Sequence, residues 1–167
     1  MCCSQMFSIS TIEGAYISKA IKTMPDAERE RLQAAAREYI ERAKALTGPA
    51  ESGEEEQSIA PRPGLRLPCP ALHNDACSIY NARPIICRKW GVPVFNPKKP
   101  LELQACELNF RPGEEIEVDE IVEPQARLLE QWVELKEQAS RQLGQPISST
   151  TVAEALIHDY EDLLPGE

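Results

Sequence analysis

Nowhere does this 167-residue chain offer about 18 consecutive apolar residues, the length a membrane-spanning helix requires. Its first residues, MCCSQMFSISTIEGAYIS, lack a basic stretch followed by an unbroken apolar run, so no secretory signal is expected and the reading is a soluble, cytoplasmic protein. There is no internal repeat, no phosphate-binding glycine loop, and no G-x-S-x-G or H-E-x-x-H stretch, which removes support from ordinary hydrolase and nucleotide-enzyme readings. A net positive charge is missing too. At −9, the chain is not expected to bind nucleic acid, because phosphate contacts need a basic face.

Six cysteines are present. A chain of this length is one ordinary domain and buries a sufficient core without staples. In a reducing compartment, clustered cysteines therefore point to metal ligation or redox chemistry rather than to a disulfide framework. The charge is also unevenly spread. From Gln57 to Pro100 seven basic residues, Arg62, Arg66, Arg83, Arg88, Lys89, Lys98 and Lys99, face the single acid Asp75, a local +6 that leaves −15 for the rest. Such a segment is either a solvated basic loop or compensation for thiolates, since four thiolates around Zn²⁺ or a [4Fe–4S]²⁺ cluster leave a charge of about −2.

The expected fold class is mostly α with minor β, helices packed around an irregular cysteine-rich centre. Ser10 and Glu13 make a capping-box pattern, and Ile12, Tyr16, Ala20 and Met24 follow at fourfold spacing, predicting a helix from about Thr11 to Thr23. A second helix runs from about Ala27 to Leu46, with Leu32, Ala35, Ala36, Tyr39, Ile40, Ala43 and Leu46 on one side, until Gly48-Pro49 stops it. The stretch over 48–64 carries four glutamates and three prolines and reads as an exposed, mobile acidic loop. Alternation in GEEIEVDEIVE suggests a short strand. Two C-terminal helices over 125–164 follow: Leu128, Leu129, Trp132, Val133, Leu135, Ala139 and Leu143 trace a core face ended by Gly144, and Thr151 with Glu154 caps a last helix bearing Val152, Ala155, Leu156, Tyr160 and Leu163.

The cysteines are spaced Cys69-x7-Cys77-x9-Cys87-x18-Cys106, with Cys2-Cys3 far upstream. None forms the C-x2-C knuckle of zinc fingers and ribbons, and the common ferredoxin spacings are absent. Spacing alone indicates a thiolate site for an unspecified metal. Pro70 and Pro84 stiffen its loops, reducing the backbone freedom lost when ligands converge.

The pattern C-P-x-L-x4-C-x-I-Y-x2-R-P-x2-C-R, here Cys69, Pro70, Leu72, Cys77, Ile79, Tyr80, Arg83, Pro84, Cys87 and Arg88, closely resembles the YkgJ-type zinc- or iron-chelating family. Cys2-Cys3, followed by FSIS and the Ser10-capped helix, is similar to that family's N-terminal cysteine group. The family usually has further cysteines upstream of this pair, where this chain has only Met1, and the last two helices lie outside the resemblance. Flagellin lysine N-methylases share the motif, but the chain shows no separate substrate domain and no evident S-adenosylmethionine loop, so methyl transfer is not carried over.

The resemblance implies cysteine-bound metal in one cysteine-cluster domain spanning 1–167. Cys69, Cys77 and Cys87 are the expected ligands, with Cys3 as the fourth. Cys2 is secondary, because adjacent cysteines project differently. Cys106 completes the same site, joins Cys2 at a second metal, or simply packs. Arg83 and Arg88 are the expected neighbours balancing thiolate charge, against the plainer alternative of ion pairs with Asp75 or the acidic body. His73 is expected to donate a hydrogen bond rather than ligate, His158 to be structural or exposed, and Tyr80 and Trp90 to be core packing. An iron–sulfur cluster serving electron transfer or redox sensing is favoured over zinc. A zinc-stapled module presenting its last helices to a protein partner and a metal-dependent enzyme are the alternatives.

Overall fold

Two reciprocal capping boxes set the frame, both at the positions the sequence predicts. In the computed structural model, which describes residues 2–47, 65–89, 91, 113–114 and 118–164, the Ser10 hydroxyl accepts from the Glu13 N–H at 3.3 Å while the Glu13 carboxylate accepts from the Ser10 N–H at 2.9 Å. Thr151 and Glu154 repeat the arrangement at 3.1 and 2.8 Å. Each box satisfies two of the donors a helix start leaves unpaired. The elements in chain order are β1 (Ile9–Ser10), α1 (Thr11–Lys22), α2 (Asp26–Thr47), β2 (Leu72–His73), β3 (Ala76–Cys77), α3 (Ile85–Lys89), α4 (Val118–Leu143), β4 (Ser149–Thr150) and α5 (Val152–Ile157). Short 3₁₀ turns occupy Cys2–Ser4, Tyr80–Ala82 and Glu161–Leu163. Among the described residues the protein is mostly helical with two small two-stranded sheets. The acidic stretch over 48–64, Trp90 and Cys106 lie outside the described residues.

The chain divides into two compact units, Met1–Cys87 with Ile147–Glu167, and Arg88–Pro146. In the first, β1 pairs antiparallel with β4, Ile9 opposite Thr150 and Ser10 opposite Ser149, and α1 and α2 both pack on α5. Ile17, Leu32 and Leu156 are fully buried between them, each stabilising the unit by about 1.5–3 kcal/mol through removal of apolar surface from water. Small residues let α1 approach α5. A Cβ added at Gly14 would meet Thr150 Cγ2 at 3.0 Å and Ala155 Cβ at 3.6 Å, and the buried Ser18 hydroxyl lies 3.2 and 3.0 Å from the carbonyls of Ala155 and His158 at the end of α5. Met6, Ala43 and Leu67 make a second cluster on α2.

Several expectations are corrected. The buried face of α1 is Thr11, Gly14, Ala15, Ile17, Ser18 and Ile21, whereas Tyr16 is 57% exposed, because the close approach of α5 selects small side chains rather than the fourfold apolar run. Leu46 is likewise 47% exposed. The last helix ends at Ile157, before Tyr160 and Leu163, since Asp159 turns the chain by accepting from the Glu161 N–H at 3.0 Å. Residues expected as a strand become helix from Val118 onward. Val118, Ile121 and Val122 also satisfy i, i+3, i+4 spacing, and Asp119 and Glu120 favour a helix start electrostatically. In the second unit α4 ends before Gly144, whose φ of +66° suits glycine. Its predicted core face is instead exposed, Leu128 at 60% and Leu135 at 55%, as the described part of this unit offers no second long element to cover it. Among the described residues, no helix is long and apolar enough to cross a membrane.

Candidate functional site

Four cysteines reach one region of the first unit from separate backbone segments. The N-terminal strip lies along the chain entering the motif: Leu67 N–H donates to the Ser4 carbonyl at 2.9 Å, Cys69 N–H donates to the Cys3 carbonyl at 2.7 Å, and Gln5 bridges Arg66 antiparallel. Cys3 and Cys69 are thereby tied to each other through the main chain. Pro70 then opens a turn closed by Leu72 N–H on the Cys69 carbonyl at 3.0 Å, a position suited to proline's fixed φ. The hairpin β2–β3 follows, with Leu72 opposite Cys77. Its two-residue loop, Asn74-Asp75, has φ of 48° and 60°, as a type I′ connection requires and as short polar side chains tolerate. Ser78 N–H donates to the Ala71 carbonyl at 2.8 Å, and Arg31 on α2 holds the Ser78 hydroxyl at 2.8 Å. Ile79 and Ala82 are buried, and Pro84 leads directly into α3, which carries Cys87.

The four cysteines are all partly buried, and Cys69 and Cys87 feel the charges of the others. Burial pushes the Cys69 thiol up to about 11, the nearby backbone N–H groups of Ala71 and Leu72 oppose this, and the charges of Cys77 and Cys3 add to it. Burial likewise pushes Cys87 up to about 12, reinforced by Cys69, Cys77 and Cys3 and opposed by the Arg83 guanidinium. Tyr39 on α2 is raised to about 12, mainly by burial and then by the charge of Cys69. A cavity of about 20 Å³ beside Cys69 is lined by Tyr39, Phe7, Gln5 and Val152 among others, room for about one water.

Among the described residues, no three His, Cys, Asp or Glu side chains stand together as a formed metal-binding group. Mutual charge coupling and the lack of a closed group are compatible. Charges are felt across several ångströms in a partly buried setting, whereas four sulfurs on one zinc lie only about 3.8 Å apart, given Zn–S bonds of about 2.3 Å. The donor chemistry fits a cysteine-bound group: four sulfurs, with the Arg83 guanidinium near that of Cys87.

The remaining candidates separate clearly. Arg83 stacks its guanidinium 3.6 Å over the Tyr80 ring and donates from Nε to the Tyr80 carbonyl at 3.2 Å. Tyr80 is 59% exposed, so it is a platform for Arg83 rather than the core residue expected. Arg88 lies in the last turn of α3. His73 is exposed, with Nε2 3.3 Å from the Asn74 side-chain amide. His158 ends α5 and meets Tyr160 edge to face. Cys2 belongs to the 3₁₀ turn Cys2–Ser4, and Cys106 lies outside the described residues. Sequence reasoning did not find Tyr39 or Glu13. Tyr39 carried only a core-face signal, and Glu13, whose second oxygen accepts from the Ile85 N–H at 2.9 Å, carried only a capping signal.

Comparison with known proteins yields no match to a family model, a curated sequence or a solved structure.

Proposed function

We propose that the protein binds a metal group through Cys3, Cys69, Cys77 and Cys87, with Arg83 offsetting thiolate charge, and that this group is an iron–sulfur cluster used in electron transfer or redox sensing. The observation that carries the reading is the gathering of four partly buried cysteines from separate segments, with Cys3 tied to Cys69 by a main-chain hydrogen bond and the charges of Cys3, Cys69 and Cys77 bearing on Cys87. The YkgJ-type motif around Cys69, Cys77 and Cys87 supports it. When bound, a cluster would supply one-electron chemistry. The chain's own part is to exclude water by burial and to set positive charge near Cys87, both of which tune reduction potential.

Burial raises Cys69 and Cys87, which lowers the thiolate fraction, and so the nucleophilicity, of these two cysteines in the metal-free chain.

Anaerobic purification followed by iron, zinc and acid-labile sulfide analysis tests the proposal. Iron with matching sulfide and visible charge-transfer absorption supports a cluster. Stoichiometric zinc in colourless protein would assign the same thiols to a structural site, and protein free of both after reconstitution would reject metal binding.

A further inference from the structure

The two capping boxes are alike except in one respect. Glu154 uses one oxygen, Oε2, within its own corner, on the Thr151 N–H and hydroxyl and on the Thr150 hydroxyl. Glu13 also uses Oε2 for its box, on the Ser10 N–H and hydroxyl, each at 2.9 Å. Its other oxygen, Oε1, accepts from the Ile85 N–H, 72 positions away, at 2.9 Å. Ile85 is the first residue of α3, a five-residue helix entered from Pro84, and Cys87 lies two residues further on.

So short a helix has almost no cooperative stability of its own, because the first turn fixes several dihedrals for a single hydrogen bond. Its leading N–H groups have no partner within it, and a carboxylate there satisfies one donor while opposing the positive end of the helix. The other thiols are tethered differently. Cys3 and Cys69 share a main-chain hydrogen bond, and Cys77 sits in the hairpin ladder. Among the described residues, no comparable ladder bond reaches Cys87, and α3 contains no buried residue.

We propose that Glu13 is a positioning residue for Cys87: its carboxylate clamps the start of α3 to α1 and so fixes the segment that carries the fourth thiol. The inference rests on the proposed site for its functional meaning, but the clamp itself is a property of the metal-free chain. Glu13 thus acts on the site through Ile85 and touches no sulfur.

The test alkylates the metal-free, reduced full-length protein with iodoacetamide and follows each cysteine by peptide mass spectrometry. Glu13→Ala is expected to raise the Cys87 rate relative to Cys69 by roughly fivefold, the equilibrium equivalent of one exposed charge-assisted hydrogen bond. Glu13→Gln, whose single amide oxygen can accept from only one of the Ser10 and Ile85 N–H groups, should give a ratio between wild type and Glu13→Ala. Glu154→Ala breaks the matching cap and should lower the thermal midpoint comparably with the Cys87:Cys69 ratio unchanged. Equal changes of the ratio in Glu13→Ala and Glu154→Ala, or no change in either, would overturn the clamp. In metal-loaded protein, Glu13→Ala should also speed release to a chelator while Glu154→Ala does not. A wild type that binds no metal would defeat the site reading alone, and the alkylation ratio would still decide the role of Glu13.

Discussion

Raising the pH should unfold the metal-free protein through Cys69. Its thiol is pushed from 9.0 to about 11 by burial and by neighbouring Cys77 and Cys3. The folded state therefore holds the proton more tightly than the unfolded chain. The stability this represents is fully present below pH 9, and is lost as the pH rises through about 11, because in that window only the unfolded chain releases the proton. Two pKa units correspond to about 2.7 kcal/mol, an upper figure for a group whose sulfur partners ionise together with it. In urea, with a slope of about 1–3 kcal/mol per M, the midpoint should fall by about 1–2 M more in wild type than in Cys69→Ser between pH 8.5 and 11. The assay is equilibrium unfolding followed by far-UV circular dichroism, with chelator and reductant present throughout. Comparing the two slopes cancels the titration of other tyrosines and lysines and any constant cost of the substitution. Parallel slopes for wild type and Cys69→Ser would refute the reasoning, since Cys69 would then be no more buried than in the unfolded chain.

Replacing Cys69, Cys77 or Cys87 singly by serine should remove most of the metal, with smaller losses for Cys106→Ser and the smallest for Cys2→Ser, as read by elemental analysis after gel filtration; full metal in the first three would reject the ligand set. Gly14→Ala should destabilise the protein by about 1–2 kcal/mol, the overpacking cost exceeding the helix-propensity gain, because the new methyl would press on Thr150 Cγ2, whose hydroxyl is fixed by Glu154 and Tyr160 at 3.1 Å each; calorimetry showing a raised midpoint would contradict this packing. Arg83→Gln should hasten metal loss to a chelator by about three- to tenfold at low salt, whereas Arg42→Gln, an exposed residue paired with Glu38 within α2, should not; identical rates would make Arg83 irrelevant to the thiols.

Local signals were legible in the sequence where the chemistry is local. Ser10 with Glu13 and Thr151 with Glu154 cap helices as read, and Gly144 follows the end of α4 as read. Failures came where tertiary context decides. The four-spaced run through Tyr16 lost to the small face formed by Gly14 and Ser18, because a partner only about 130 positions away selects for size. The acids alternating with Ile116 and Val118 matched two periods at once, and helix won from Val118. Five-residue α3 had too few turns to leave a periodic trace, and the Asn74-Asp75 turn was visible but unread. At the site, the cysteines were legible as a cluster because residue type and motif carry that information. The contacts that hold their segments were not, since these are main-chain bonds from residues 3–5 to residues 66–69 and a glutamate whose capping role hid its second contact.

The first unit is built from both ends of the described chain, and this has a consequence during synthesis. Helices α1 and α2 bury their faces on α5, but about 130 residues separate Lys22 from Val152. At roughly 5–20 residues per second, the ribosome leaves α1 without that partner for on the order of 7–26 s. Cys3 emerges before this interval and Cys69, Cys77 and Cys87 within it, all ahead of the segment that closes the core. Nascent chains should therefore expose thiols and apolar helix faces together, and be open to chaperone capture or to early metal delivery, until residues 147–157 leave the exit tunnel and zip β4 against β1.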